Sequence, residues 1–201
     1  MRAATLPFYV SKDDPPAKRE ILRAALKLFS ERGLAATSIR DIAEASGYTN
    51  PALYKHFVSK EALARYLFDA CHRRVWERCN AALTTGKGFD DKLRRYVGQW
   101  LELVDEDPEV VAFLSDSARV LWPKASPTVR RRTMIGLARS LALEAPRSSR
   151  GRAAAVHPDL AAASLQGSLN ELARMLQVGV LDGPAARWKE GLVALFERLV
   201  T

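Results

Sequence analysis

Cysteine is nearly absent from this chain: 201 residues carry two, Cys71 and Cys79. In a helical pattern their spacing puts them about 12 Å apart along the axis, beyond the reach of a disulfide. They read as reduced thiols, with a redox sensor as the sharper alternative. Histidine is also scarce, and His56, His72 and His157 give no useful ligand spacing beyond a loose Cys71/His72/Cys79 group, so no metal site is expected. No apolar run approaches the roughly 18 residues of a membrane span. The apolar patch Leu6 to Val10 is short and is followed by Asp13-Asp14-Pro15-Pro16, with no small-residue cleavage site, which makes a poor export signal. The expected location is therefore cytoplasmic, with no membrane partner. No Gly-x-Ser-x-Gly elbow, phosphate loop, dinucleotide glycine pattern or His-Glu-x-x-His occurs. The chain is not expected to be an enzyme, and no cofactor is implied. Alternating β-branched runs and Asn-Gly or Asp-Gly hairpin signals are missing too.

Helical periodicity takes their place throughout. The sequence predicts an all-α fold of about nine helices. Residues 1–14 read as a flexible arm, 15–62 as a helix-turn-helix domain, and 63–201 as a helical domain for effector binding and dimerisation. Asp14 and a proline at the first helical position open the first helix. Ile21, Leu22, Ala25, Leu28 and Phe29 form its apolar stripe, and Gly33 stops it near Arg32. Ser38-Ile39-Arg40-Asp41 approximates a capping box for the second helix, which ends at Ser46-Gly47. Thr49 then caps a short third helix, Asn50 to Phe57, and a long fourth begins at Ser59-Lys60-Glu61. Further helices are expected at about 90–104, from Pro108 to about Trp122, at 127–143, from Pro158 to Val180, and from Gly183-Pro184 to the end. Residues 145–157 read as a loop.

Thr37 to Phe57 carries the functional signal. Ala43 is small where two helices would cross, and Gly47 suits a left-handed turn. Leu53 and Phe57 plug the core. Asn50, Pro51, Ala52, Tyr54, Lys55 and His56 then face outward, and no acid lies between Gly47 and Lys60. Such an arrangement places its second helix in the major groove of DNA. Two packed helices with no such role are the alternative from spacing alone. The net charge of +8 suits a polyanion partner without proving one. Residues 1–60 carry +4 and residues 119–152 carry +8, leaving the remainder at −4. The second cluster, around Arg130-Arg131-Arg132, fits a solvated face, an anionic effector site or an accessory nucleic-acid surface.

The string Ala24 to Gly33, then Thr37 to Gly47, then Leu53-Tyr54-Lys55-His56-Phe57-Val58-Ser59-Lys60-Glu61-Ala62-Leu63 resembles the TetR family of transcription regulators over about residues 17–65. The Leu-Tyr-x-His-Phe-x-x-Lys-Glu-x-Leu part is its most specific piece. The resemblance implies that Thr37 and Arg40 touch the DNA backbone. Thr49, Asn50, Pro51 and Ala52 would face base edges, where Asn pairs with adenine and Ala meets a thymine methyl. Tyr54, with His56 and Lys55 nearby, would reach phosphate, as would Lys60. His56 is equally well read as a structural cap, and Lys55 as a solvated lysine. Tyr48 departs from the small apolar residue usual there and reads either as a core plug or as a backbone contact.

Dimers reading palindromic double-stranded operators are implied. The eighth and ninth helices offer Leu165, Leu169, Leu172, Trp188, Leu192, Leu195 and Phe196 as a dimer face, or as ordinary core. Trp76, Trp100, Phe113, Trp122 and Met134 are candidate lining for a small-molecule effector chamber, or again core. The expected function is a repressor released from its operator by that effector. A hundredfold loss of affinity requires about 2.7 kcal/mol of preference for the DNA-incompetent state, with the fourth helix as the lever. The alternative is a helical interaction module, or a metal- or redox-sensing one, without operator binding.

Overall fold

The computed structural model describes residues 7–146 and 156–200, and no strand occurs among them. Helix α1 spans Pro16–Ala36, α2 Ile39–Ser46, α3 Asn50–His56, α4 Lys60–Thr85, α5 Gly88–Glu106, α6 Pro108–Leu121, α7 Pro127–Arg131, α8 Met134–Glu144, α9 Pro158–Gln177 and α10 Lys189–Val200. Two 3-10 turns, Trp122–Lys124 and Ala185–Trp188, complete the described helical elements. The all-α expectation holds. The single helix expected at 127–143 is two, because the Thr133 side chain accepts from the Gly136 N–H and caps a new helix there. Most of the loop expected at 145–157 lies outside the described residues, as do Arg147, Arg150 and Arg152 of the basic cluster.

The chain divides into two compact units, one of residues 1–74 and 109–130 and one of 75–108 and 131–201. In the first, α1 opens with Pro16 in its first turn, where the missing N–H is harmless. Asp14 does not cap this helix. Its carboxylate accepts instead from the Ser11 N–H at 2.8 Å and from Lys18 Nζ at 2.6 Å. Burial alone would raise the Asp14 carboxyl, but Lys18 and the Ser11 N–H outweigh it and hold it below the ordinary carboxylate value. Of the arm read as flexible, residues 7–14 form turns held in place: Val10 is buried, and the Arg74 guanidinium lies 5.8 Å from the Phe8 ring. Residues 1–6 lie outside the described part. Gly33 interrupts α1 at φ 80°, a left-handed value that glycine adopts without steric cost.

Ile21, Leu22, Leu26, Phe29, Ile42, Leu53, Leu63, Leu67 and Phe68 are at most 1 % exposed, which places the helix-turn-helix on a well-packed base. Phe113 of α6 stacks on Phe29 at 5.8 Å and meets Phe68 edge-on at 6.4 Å.

In the second unit, α9 packs on α8, α5 and α10. Tyr96 is fully buried on α5 and donates its hydroxyl to Gln166 Oε1 at 2.9 Å. Asp105 accepts from the Ala185 and Ala186 N–H groups, pinning the 3-10 turn that leads into α10. No helix among the described residues is long and apolar enough to cross a membrane.

Candidate DNA-binding face

Helix α2 begins as its sequence dictates. Ser38 accepts from the Asp41 N–H, and the Asp41 carboxylate accepts from the Ser38 N–H at 2.7 Å. The Ser38 hydroxyl and N–H together hold the Asp41 carboxyl below its ordinary value. Gly47 ends α2 in the left-handed region at φ 74°, donating to the Ala43 and Glu44 carbonyls, and the Tyr48 N–H follows with a bond to Ala43 O at 3.0 Å. Nothing stands within 4 Å of a Cβ added at Gly47, so the positive φ alone calls for glycine there. The Tyr48 side chain is half-exposed, part plug and part surface.

Helix α3 is anchored by Leu53, and by Phe57 at its end, 1 % and 8 % exposed. Asn50, Pro51, Tyr54 and Lys55 are exposed on its outer side, with Ala52 and His56 half-exposed. Thr49 precedes α3 with extended backbone, but its side chain makes no capping bond, so its exposed hydroxyl is left for other partners. Arg40 of α2 is exposed as well. These residues all belong to the first unit, and no acid lies between Gly47 and Lys60.

Two of the expected DNA contacts are placed otherwise. Thr37 is 1 % exposed, and its hydroxyl donates to Gly33 O at 2.9 Å, with Leu28 O at 3.3 Å. It ties the end of α1 to the start of α2 and does not face a ligand. Lys60 turns inward, its Nζ donating to Leu34 O and Thr37 O, each at 2.8 Å. An ammonium has three donors, so two are spent on carbonyls at the junction of α1 and α2, where α1 has ended. Sequence spacing locates both residues near the interface but does not tell an inward hydrogen bond from an outward one. One exposed residue escaped the sequence reading. Val58, to which the sequence assigned no role, is 84 % exposed between α3 and α4.

Residues 21–67 match the family described as bacterial regulatory proteins, tetR family. That match identifies residues 21–67 as a domain of this family. It is 32 % identical over 104 residues to the HTH-type transcriptional repressor KstR2 of Rhodococcus jostii, covering 52 % of this chain and 51 % of that protein. The chain thus matches about half the length of its first curated relatives. The solved structure of the ketosteroid transcriptional regulator KstR2 of Mycobacterium tuberculosis superposes with a TM-score of 0.78 at 18 % identity, over 98 % of this chain and 99 % of that one. A TetR-family protein from Rhodococcus RHA1 superposes with a TM-score of 0.75 at 21 % identity, over 95 % and 98 %. At such identities the superpositions establish the fold, which is that of TetR regulators along nearly the whole chain.

The remaining TetR-like expectations fare unevenly. The effector candidates do not share one unit: Phe113 and Trp122 lie in the first, Trp76, Trp100 and Met134 in the second. Phe113 and Trp100 are core, at 0 % and 4 % exposed. Trp76 is covered by the Arg132 guanidinium, 4.8 Å from its ring. Met134 and Trp122 are half-exposed.

Of the dimer candidates, Leu165, Leu169, Leu172 and Phe196 are buried within this one chain, so they are its core and not its interface. Leu192 and Trp188 are half-buried; Leu195 is outward, at 57 % exposed. Leu160, Ala163, Ser164 and Gly167 form the exposed stripe of α9. The periodicity pointed to the strongest apolar stripe, and that is the one the fold consumes. The redox reading of the cysteines also finds no support in their surroundings. Both thiols are buried, and burial pushes Cys79 up to about 12, outweighing the nearby Arg78, so its reactive thiolate is not formed at neutral pH.

Proposed function

We propose that this chain is a sequence-specific transcriptional repressor. It binds a palindromic double-stranded operator as a homodimer in the cytoplasm and is released by a small-molecule effector. Residues 15–62 serve as the DNA-binding region and 63–201 as the effector and dimerisation region. The observation that carries the reading is the outer face of α3. Asn50, Pro51, Tyr54 and Lys55 stand exposed in a segment without acids, behind a capped α2 and a left-handed Gly47 turn. The match of residues 21–67 to the TetR domain and the repressor named among the relatives support it.

Thr49, Asn50, Pro51 and Ala52 read base edges in the major groove. Arg40, Tyr54, Lys55 and His56 meet the backbone, and Val58 lies against sugar and methyl groups beside them. Each subunit reads one half-site, so two copies are needed. The outward stripe of Leu160, Ala163, Ser164 and Gly167, with Leu195, is suited to pairing copies, because small residues let helices approach closely. The effector acts by preferring the DNA-incompetent state.

The test is selection from a random duplex pool at physiological salt, followed by sequencing. Enrichment of an inverted repeat, with half-sites about one helical turn apart, is the expected result. Retention without a shared sequence would reduce the chain to a non-specific polyanion binder. No retention, even after unfolding and refolding to strip bound ligand, would leave the interaction-module reading instead.

A further inference from the structure

Two buried side-chain nitrogens lack a hydrogen-bond partner among the described residues: Nδ1 of His72 and Nε1 of Trp188. His72 stands out because it is 7 % exposed and walled by rings of its own unit. Phe68 stacks against it at 6.2 Å, and Trp122 tilts over it at 5.3 Å. The Phe68 and Trp122 rings meet edge-on at 6.5 Å, with Phe113 behind Phe68. Trp122 is half-exposed on a 3-10 turn whose next two residues, Pro123 and Lys124, are exposed. It is therefore the wall nearest solvent, carried by a short element between α6 and α7.

A histidine in such a place is costly if it only fills space. Buried polar groups without partners are destabilising, and an apolar ring of similar size would pack there without that penalty. Asp69 is beside it on α4, but both Asp69 oxygens accept from the Ser126 N–H at 3.2 Å. Burial pushes the imidazole down to about 4, outweighing the Asp69 charge, so the ring is neutral at physiological pH. A neutral imidazole offers one N–H and one lone pair, and it has no charge with which to balance an anion.

We propose that His72, Phe68 and Trp122 form the polar end of a ligand site, and that the site takes a flat, uncharged ring molecule bearing a hydroxyl or keto group. This inference rests on the effector-released reading above and names the chemistry of the effector. The flat rings stack on or edge against Phe68 and Trp122, and the hydroxyl or carbonyl pairs with Nδ1 of His72.

The probe pair is 2-naphthol and naphthalene, which differ by one hydroxyl, titrated calorimetrically into the full-length protein. Wild type should hold 2-naphthol at least tenfold more tightly than naphthalene, and His72→Phe should bind the two alike. His72→Gln, which restores an amide at that position, should recover part of the preference. The ring nitrogen resonances of His72 should move with 2-naphthol and stay put with naphthalene, a readout that stands even if the phenylalanine variant does not fold. Equal affinities in wild type, a preference that survives in His72→Phe, or no binding of either compound would each overturn the site. Operator affinity measured in the same samples separates the two ideas. If 2-naphthol sits on His72 and leaves operator affinity unchanged, the site stands and its effector role falls. If some compound releases operator equally from wild type and His72→Phe, an effector exists but does not use this site.

Discussion

Helices α3 and α9 each bury one face in their own unit and turn the other outward, yet the outward faces differ in kind. On α3 the exposed polar residues are Asn50, Tyr54 and Lys55, beside Pro51, and none makes a side-chain hydrogen bond to the described residues. Their polar atoms are left for a partner rich in hydrogen-bonding edges and charge. On α9 the exposed stripe runs from Leu160 through Ala163, Ser164 and Gly167, which has little to offer a polyanion but lets another backbone come close. Further along, Gln166 pairs with Asn170 and Arg174 with Glu171, so its polar groups are already partnered. A helix built to read a charged polymer keeps its polar groups unpaired, whereas one built to meet its like keeps small side chains and internal pairs.

The sharpest way to break that comparison is to put a carboxylate on each side of the second-unit helices. Leu165 is 2 % exposed and Leu195 57 %. Leu165→Glu buries an unpaired charge, which typically costs several kcal/mol, and should yield no folded protein by circular dichroism. Leu195→Glu should keep its helix signal but sediment as a monomer, with operator affinity down at least a hundredfold. A Leu195→Glu protein that stays dimeric would move the interface to another surface.

Next in size is a pH effect in the first unit. The neutral form of His72 is favoured by the fold, with a value of about 4 against an ordinary 6.5. Its stability contribution is whole above pH 6.5 and declines as the unfolded chain takes up a proton that the folded chain refuses. The decline ends near pH 4 and amounts to about 3 kcal/mol. Urea titrations of wild type and His72→Phe across that range should diverge by this amount, and parallel curves would mean that His72 protonates normally. Thr37→Val should cost about 1–3 kcal/mol, the penalty for leaving a buried carbonyl without its donor, again by urea denaturation. Smallest are the effects on α3 itself. Asn50→Ala should lose about 1–3 kcal/mol of discrimination at one base pair. Lys55→Ala should weaken all sequences alike and lower the slope of log affinity against log salt by about one. If Lys55→Ala instead changed the preferred sequence, Lys55 would be a base reader.

The same two helices show what was legible in the sequence. Around α3 nearly everything was, because capping boxes, left-handed glycines and helix plugs are local rules: Ser38, Asp41, Gly47, Leu53 and Phe57 behave as their types demand. What escaped were the directions of long or small side chains. Thr37 and Lys60 lie where a contact residue should, but they point at carbonyls at the end of α1. On α9 the periodicity was correct and its meaning was not, since a helix with two useful faces advertises only the more hydrophobic. Of the site at His72, the sequence offered only Trp122 and Phe113 as chamber candidates, with no sign that they meet this histidine. Its partners Phe68 and Trp122 lie 54 residues apart in number, and only the fold brings them to the same imidazole.

The way α3 is held bears on how such a protein acquires new targets. Leu53 and Phe57 face inward and carry its attachment, while the outward positions support nothing else in the chain. Exchanges at Asn50, Pro51 or Lys55 therefore leave folding intact, so a gene duplicate can drift through altered operators one substitution at a time without passing through an unstable ancestor. Thr37 and Lys60 have no such latitude. Through them the regulator's architecture is inherited while its vocabulary changes.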